Sequence, residues 1–118
     1  MRRYTWALFI VLIGLSVLAC DRPALTFSPD QLPEAQTGQA YQVTITVSEN
    51  QTPVGDMYVS DGSLPPGLVM SHERGSSTAT ISGKPTQAGG FAFTVSAWCL
   101  GTNQAGQTGQ RAYTLVVK

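Results

Sequence analysis

Hydrophobic and polar residues alternate with a period of two along several short segments of this chain. In the clearest segment, residues 41–48, apolar side chains occupy every second position: Tyr41, Val43, Ile45 and Val47. Hydroxyl and amide side chains fill the positions between them. Because successive side chains of a β-strand point to opposite faces, this alternation predicts a strand with one buried and one solvated face.

Similar segments follow one another along the chain, separated by turn residues such as Gly, Pro, Asn and Asp. The predicted strands cover residues 24–28, 41–48, 56–60, 68–71 and 78–82, a long segment from 91 to 99, and a final segment with Tyr113, Leu115 and Val117. Residues 101–109 carry glycines and short polar side chains, and they are predicted to form a mobile loop. About seven short antiparallel strands without helical periodicity predict an all-β sandwich.

The first twenty residues have a different pattern. Basic Arg2 and Arg3 precede an apolar run over residues 6–18, and the small residue Ala19 precedes Cys20. This is the pattern of an export signal, and the run is shorter than the roughly twenty apolar residues that span a membrane. A transmembrane helix and an ordinary signal peptide with an incidental cysteine are the alternative interpretations.

The four residues Val17-Leu18-Ala19-Cys20 resemble the bacterial lipobox. The resemblance implies cleavage before Cys20, a thioether between the Cys20 thiol and diacylglycerol, and acylation of the new amine by a fatty acid such as palmitate. Several acyl chains anchor a protein far more firmly than one. Asp21 resembles the sorting signal that keeps lipoproteins in the inner membrane of enteric-type bacteria.

These resemblances define the expected organisation of the chain. Residues 1–19 are the predicted signal peptide, residues 20–26 the lipidated N-terminus with a short tether, and residues 27–118 the folded domain. The expected localisation is a membrane surface that faces the periplasm, with the inner membrane favoured over the outer. The lipid on Cys20 would then hold the domain close to that surface.

A second resemblance extends from about residue 32 to residue 99. It is carried by an ordered series of segments: Leu32-Pro33, Gly38-Gln39-Ala40-Tyr41, Leu64-Pro65-Pro66-Gly67-Leu68, Ile81-Ser82-Gly83-Lys84-Pro85-Thr86 and Ala88-Gly89. The series resembles the bacterial Putative Ig domain family, cadherin-like modules found in surface and exported proteins. It implies an immunoglobulin-like β-sandwich of about seven antiparallel strands.

Charge and acidic residues narrow the choice of partners. After the predicted cleavage site the chain has five basic and seven acidic residues, and the basic ones are scattered singly. Nucleic-acid binding needs a basic patch, so we expect no nucleic-acid partner. Asp30, Asp56 and Asp61 are isolated in sequence, whereas a calcium site needs six or more oxygen ligands. We therefore expect no metal and no cofactor.

The single histidine, His72, is the candidate for catalysis. It lies between Ser71 and Glu73 in a predicted turn. Hydrolytic chemistry would need a serine or cysteine nucleophile paired with this ring and a carboxylate to orient it, and no motif positions such a set. His72 is therefore predicted to be a solvated turn residue.

Two residues near the end of the long strand are further candidates. Cys99 lies in the apolar phase and is interpreted as a buried thiol, with an intermolecular disulfide and a reactive site as alternatives. Trp98 lies in the polar phase beside the glycine-rich segment and is a candidate recognition residue. The alternative for Trp98 is packing under that segment.

Taken together, these observations favour a membrane-anchored, non-catalytic protein-interaction or accessory module in the cell envelope, with an envelope protein as its partner. The first alternative is a module that binds carbohydrate or peptidoglycan. Such modules present aromatic platforms, and apart from Trp98 most aromatic residues of the domain lie in the buried phase. An enzyme is the third hypothesis.

Overall fold

The computed structural model describes residues 24–101 and 105–118 of the chain. The predicted signal peptide, Cys20 and Asp21 lie outside these residues. The described part forms seven strands: β1 (Thr26–Ser28), β2 (Tyr41–Ser48), β3 (Val54–Gly62), β4 (Leu68–His72), β5 (Thr78–Gly83), β6 (Gly89–Cys99) and β7 (Thr108–Val117). Within the same residues no helix has the length and apolar character needed to cross a membrane.

The strands form two sheets that pack face to face. One sheet has the order β1-β2-β5-β4 and the other the order β3-β6-β7, and every paired strand is antiparallel. A four-plus-three partition in this chain order is that of a constant-type immunoglobulin domain. The predicted fold class, an immunoglobulin-like β-sandwich of about seven antiparallel strands, is therefore confirmed.

The core consists of the side chains that the alternation assigned to the inner faces. Ile45 and Val47 of β2 and Phe93 and Val95 of β6 are at most 2% exposed. Cys99 continues the β6 series and is 3% exposed, so its predicted burial is also correct. Neighbouring residues of opposite phase, such as Thr44 and Ala92, are exposed.

The structure differs from the sequence prediction in the extent of its strands. β3, β6 and β7 are all longer than predicted, because pairing with a neighbour carries the strands through glycines at their ends. The predicted loop at 101–109 is wrong at its C-terminal end. Thr108 and Gly109 belong to β7, and Gln107 is 7% exposed.

The sandwich has two ends, which are defined here by their connections. The loop end contains residue 24, where the described chain begins, and the connections 49–53, 73–77 and 100–107. The far end contains the connections 29–40, 63–67 and 84–88, together with the C-terminal Lys118. The register confirms the assignment, since Thr26 at the start of β1 pairs with Ser48 at the end of β2.

The far end is built from the prolines and glycines of the family motif. Pro65 and Pro85 are fully buried, and the connections that carry them interlock. A Cβ on Gly67 would overlap the carbonyl oxygen of Lys84, and a Cβ on Gly83 would overlap the carbonyl oxygen of Gly67. Both glycines also have positive φ angles, 96° and 137°. The motif therefore encodes a close backbone crossing that only glycine permits.

Candidate interaction face

The outer face of the β3-β6-β7 sheet carries the candidate residue Trp98, and we call it the aromatic face. Its side chains form rows across the three strands. Asp56, Trp98 and Thr108 are paired in the row nearest the loop end, and the next row consists of Tyr58, Ser96 and Gln110.

Trp98 packs across the neighbouring strand β3. A Cβ on Gly55 would overlap Cζ3 of the indole and lie 2.5 Å from each of Cε3 and Cη2. Distances this short to both neighbours of Cζ3 are found above the plane of the ring and not at its edge, so the Gly55 backbone lies over the ring face. The guanidinium carbon of Arg74 lies 5.9 Å from the ring centroid, within the range of a cation–π contact.

This arrangement refines the packing alternative for Trp98. The residue packs on Gly55 and against Arg74 of the β4–β5 connection. The segment expected to cover it includes residues 102–104, which lie outside the described part of the chain. Gly55 is the extra residue of a β-bulge in β3. Val54 pairs with Cys99 and Asp56 pairs with Trp98, so Gly55 has no partner of its own in β6. The bulge and the missing side chain together make room for the ring. Trp98 is half-buried, so part of it still faces the solvent.

Tyr58 is the aromatic residue of this face that sequence reasoning missed. Its side chain is 43% exposed, the largest exposed aromatic surface among the described residues. A shallow depression of about 340 Å³ runs beside it toward Trp98 and is also lined by Ser96, Thr108 and Gln110. The hydroxyl groups of Ser60 and Ser96 are 2.6 Å apart at its edge. The sequence could have indicated its exposure, because Tyr58 is adjacent to the core residue Met57 and therefore points to the opposite face of β3.

The outer face of the other sheet has a different chemistry, and we call it the hydroxyl face. Its outward positions carry Ser, Thr and Gln together with one exposed valine: Thr26, Ser28, Gln42, Thr44, Thr46, Ser48, Val69, Ser71, Thr78, Thr80 and Ser82. No aromatic or charged residue stands among these paired positions. The aromatic face is thus the one that offers large side chains to a partner.

His72 is not the solvated turn residue that was predicted. It ends β4, and its side chain is only 3% exposed. Its Nε2 lies 2.8 Å from the backbone carbonyl oxygen of Ser76, and its Nδ1 lies 3.6 Å from a carboxylate oxygen of Asp56. The prediction failed because the turn begins one residue later than expected and the ring folds back between β3 and the 73–77 connection.

The surroundings of the two ring nitrogens of His72 differ from those of a catalytic histidine. A carbonyl oxygen only accepts hydrogen bonds, so Nε2 must donate its proton to Ser76. A carboxylate beside Nδ1 is found in catalytic triads, but there the second nitrogen faces a nucleophile. Here it faces the backbone. His72 therefore joins β4 to the 73–77 connection through Nε2, and its Nδ1 lies near Asp56 beyond hydrogen-bond distance.

The loop end is braced by side chains. The buried amide of Gln107 accepts a hydrogen bond from the Gln51 backbone nitrogen at 2.7 Å and donates one to the Glu49 carbonyl at 3.0 Å. The Thr52 hydroxyl donates to the Leu100 carbonyl at 2.6 Å. Glu49 itself has a positive φ of 66°, a conformation that a non-glycine residue keeps only when its surroundings hold it there.

The free thiol of Cys99 lies directly behind this brace. Burial raises the pKa of the thiol, and a hydrogen bond with the Thr52 side chain opposes the shift. A thiol with a raised pKa is a poor nucleophile at neutral pH. The structure thus favours the buried-thiol interpretation over a reactive site.

Three of the four sheet edges are short or bulged, and the fourth is covered near its C-terminal end. β1 has three residues and β4 has five, and β3 contains two register shifts. The fourth edge strand, β7, is bridged near its end by Ala35, whose nitrogen donates to the Val116 carbonyl at 2.9 Å. Short, bulged or covered edges do not readily pair with another chain. The faces and ends of the sandwich are therefore better docking surfaces than its edges.

Metal ligands are not gathered anywhere in residues 24–101 and 105–118. No three His, Cys, Asp or Glu side chains in these ranges are close enough together to hold an ion. The acidic residues Asp30 and Glu34 instead face the basic side chains of Arg111 and Lys118, at 3.4 and 3.3 Å.

The sequence profile of the Putative Ig domain family matches residues 23–118, and the chain belongs to this family. No curated protein sequence matches it. Among solved structures, it is similar to the SrpA adhesin from Streptococcus sanguinis, with a TM-score of 0.60 and 16% identity over 85% of this chain. The match spans 59% of the adhesin. The titin M3 domain is also similar, with a TM-score of 0.51 and 24% identity over 80% of this chain and 96% of that domain.

Proposed function

We propose that the protein is an exported lipoprotein, anchored through Cys20 to the periplasmic side of a membrane, whose domain binds an envelope protein through the aromatic face. The anchor proposal rests on the lipobox-like residues and on Asp21, which favours the inner membrane. The single observation that supports the binding face is the exposure of Tyr58, 43%, beside a depression that reaches Trp98.

Several features favour a protein partner over a carbohydrate. Sugar-binding sites usually stack a ring face of the ligand on an exposed aromatic ring. The Trp98 indole already contacts Gly55 and Arg74, so Tyr58 is left as the main free aromatic surface. Tyrosine among small hydroxyl and amide residues is typical of protein interfaces. The similarity to an adhesin agrees with an interaction role.

The domain is proposed to be non-catalytic. The His72 ring is 3% exposed with its Nε2 bound to the Ser76 carbonyl, and the Cys99 thiol is buried. Neither side chain is free to act as a base or a nucleophile toward a bound substrate. Immunoglobulin-like domains more often recognise other molecules than transform them, which is an argument from fold alone.

A photo-crosslinking amino acid introduced at Tyr58 in cells tests the binding face. We expect a discrete adduct with one envelope protein, and we expect its yield to fall in a Gln110→Arg variant, which places a long charged side chain in the depression. The matched control is the same amino acid at Thr44, an exposed position on the hydroxyl face. Adducts from Thr44 and none from Tyr58 would refute the aromatic face as the binding surface.

The anchor has its own test. Cells grown with an alkyne-bearing fatty acid should incorporate it into the wild-type protein, whereas a Cys20→Ser variant should remain unlabelled and unprocessed. Normal processing of Cys20→Ser would contradict the lipoprotein assignment without bearing on the binding face.

A further inference from the structure

We propose that the loop end of the sandwich faces the lipid headgroups and that the far end points away from the membrane. This inference rests on the proposed lipid anchor at Cys20. It assigns a surface to residues 49–53, 73–77, 100–101 and 105–107 and leaves the aromatic face exposed at the side of the domain.

The point at which the chain enters the sandwich is the first support. Leu25 is 8% exposed and packs toward Gly109, where a Cβ would lie 2.9 Å from the Leu25 Cβ. The fold therefore holds the chain from Leu25 onward. β1 then runs from the loop end toward the far end, so the residues before Leu25 leave the sandwich at the loop end.

The length of the tether is the second support. Five residue steps separate Cys20 from Leu25, and a chain spans at most about 3.5 Å per residue, so the tether reaches roughly 17 Å. A ten-residue strand such as β7 is about 33 Å long. The tether is too short to run back along the sandwich, so the far end cannot face the bilayer while the loop end stands above it, and the loop end must stay near the lipid headgroups.

The chemistry of the loop end suits a lipid surface. Its charged residues, Glu49, Glu73 and Arg74, nearly balance, and the other side chains there are mainly amides and hydroxyls. Such groups exchange hydrogen bonds with headgroups without strong attraction or repulsion. Because the lipid chains supply the affinity, the contact should depend little on salt, unlike a basic patch on an anionic membrane.

Hydrogen bonds between the connections fix the conformation of the loop end. Gln107 holds the 49–51 segment, Thr52 holds Leu100, and the Gly75 nitrogen donates to the Val54 carbonyl at 2.7 Å. Hydrogen bonds thus tie all three connections to β3 or to each other. The surface that faces the headgroups therefore keeps a fixed position relative to the point where the chain enters the sandwich.

Fluorophores at the two ends test the orientation. The lipidated, processed protein is placed in phosphatidylcholine vesicles that contain a lipid with a nitroxide on its headgroup. Gln51→Cys at the loop end and Gln87→Cys at the far end are matched exposed positions, and the buried Cys99 leaves each new thiol as the reactive one. We expect several-fold stronger quenching at position 51 than at position 87, at low and high salt alike.

A variant with about ten Gly and Ser residues inserted after Pro23 adds roughly 17 Å of reach and should lower quenching at position 51. Equal quenching at positions 51 and 87 would show that the domain lies on its side, and stronger quenching at 87 that it is inverted; either result overturns the proposal. Flotation of the protein with the vesicles reports the anchor separately. Failure to float would refute the anchor and the orientation together, whereas flotation with equal quenching would refute the orientation alone.

Discussion

The two ends of the sandwich are held together by different means. At the far end, backbones cross so closely that Gly67 and Gly83 leave no room for a Cβ, and buried prolines fill the space around them. At the loop end, the side chains of Gln107 and Thr52 connect the segments 49–53 and 100–107 by hydrogen bonds. Interlocked backbones dominate the far end, whereas side-chain hydrogen bonds join the connections of the loop end, where Gly106 is a further glycine packed against a backbone carbonyl, that of Cys99. The family motif therefore lies at the far end, where it shapes the backbone crossing.

The largest expected effect comes from adding a methyl group at the far end. Gly67→Ala combines a left-handed conformation, worth about 1 to 2 kcal/mol, with a clash against the Lys84 carbonyl, worth about 1 to 3 kcal/mol more. We expect the free energy of unfolding in urea to fall by the sum of the two.

The matched control is Gly75→Ala at the loop end. Gly75 has a similar φ of 90°, but a Cβ there would meet no atom within 4 Å. The substitution should therefore cost only the conformational part, about 1 to 2 kcal/mol. Equal losses in Gly67→Ala and Gly75→Ala would mean that the interlocked backbones do not distinguish the far end.

Much of this fold was predictable because its signals are local. The alternation over residues 41–48 and 91–99 assigned the core side chains of β2 and β6 to the correct face. The Leu-Pro-Pro-Gly-Leu and Ile-Ser-Gly-Lys-Pro segments identified the family, since each encodes its own backbone conformation. The order of the strands within each sheet was not predicted, because the alternation carries no information about which strands pair.

The next largest effect tests how Trp98 is seated near the loop end. Gly55→Ala would drive a methyl group into the indole, and we expect a loss of up to about 3 kcal/mol in the free energy of unfolding. Gly90→Ala in β6 is the control, because nothing lies within 4 Å of its Cβ position and a change within about 0.5 kcal/mol is expected.

A double variant shows whether the cost of Gly55→Ala comes from the indole of Trp98 or from the backbone of β3. If the indole is the obstacle, Gly55→Ala should cost much less when Trp98→Ala is also present, because the two residues contact each other. An unchanged cost in the Trp98→Ala background would show that Gly55 is needed for the bulge of β3 and not for the ring.

A smaller effect is expected from the brace at the loop end. Gln107→Ala removes both side-chain hydrogen bonds and leaves the Gln51 nitrogen and the Glu49 carbonyl without these partners, at a cost of about 2 kcal/mol. Gln110→Ala, which changes an exposed glutamine of β7, should change the free energy of unfolding by less than about 0.5 kcal/mol. Hydrogen exchange should also quicken at Gln51 in Gln107→Ala; unaltered exchange there would contradict the bracing role.

The candidate site was less predictable than the fold because its contacts join residues far apart in sequence. Trp98 was recognised by its phase alone, but its partners Gly55 and Arg74 come from another strand and another connection. His72 was misjudged for the same reason, since the atoms that bury it belong to β3 and to the segment after the strand. Strand pairing brings Trp98 and His72 next to these partners, and the pairing cannot be read from the alternation of residues in the sequence.

The smallest effect is expected from alkaline pH, which acts on both ends through different groups. Burial raises the pKa of Cys99 at the loop end above its ordinary value of 9.0, and burial likewise raises the pKa of Tyr41 at the far end above 10.0. A group whose pKa is raised on folding holds its proton more tightly in the folded state. Its contribution to stability is therefore complete below the ordinary pKa and is lost as the pH rises through the folded value.

Urea unfolding from neutral pH to about pH 10.5 should thus show a decline that is shallower in Cys99→Ala and in Tyr41→Phe than in the wild type. The slopes are compared rather than the absolute stabilities, because each substitution also removes packing, and Tyr41→Phe removes the hydrogen bond from the tyrosine hydroxyl to the Pro33 carbonyl. These losses do not vary with pH until the groups titrate. If Cys99→Ala flattens the curve first and Tyr41→Phe only at higher pH, the loop end is the first to weaken. If stability declines with the same slope in the wild type, Cys99→Ala and Tyr41→Phe, then neither group holds its proton more tightly in the folded state than in the unfolded chain.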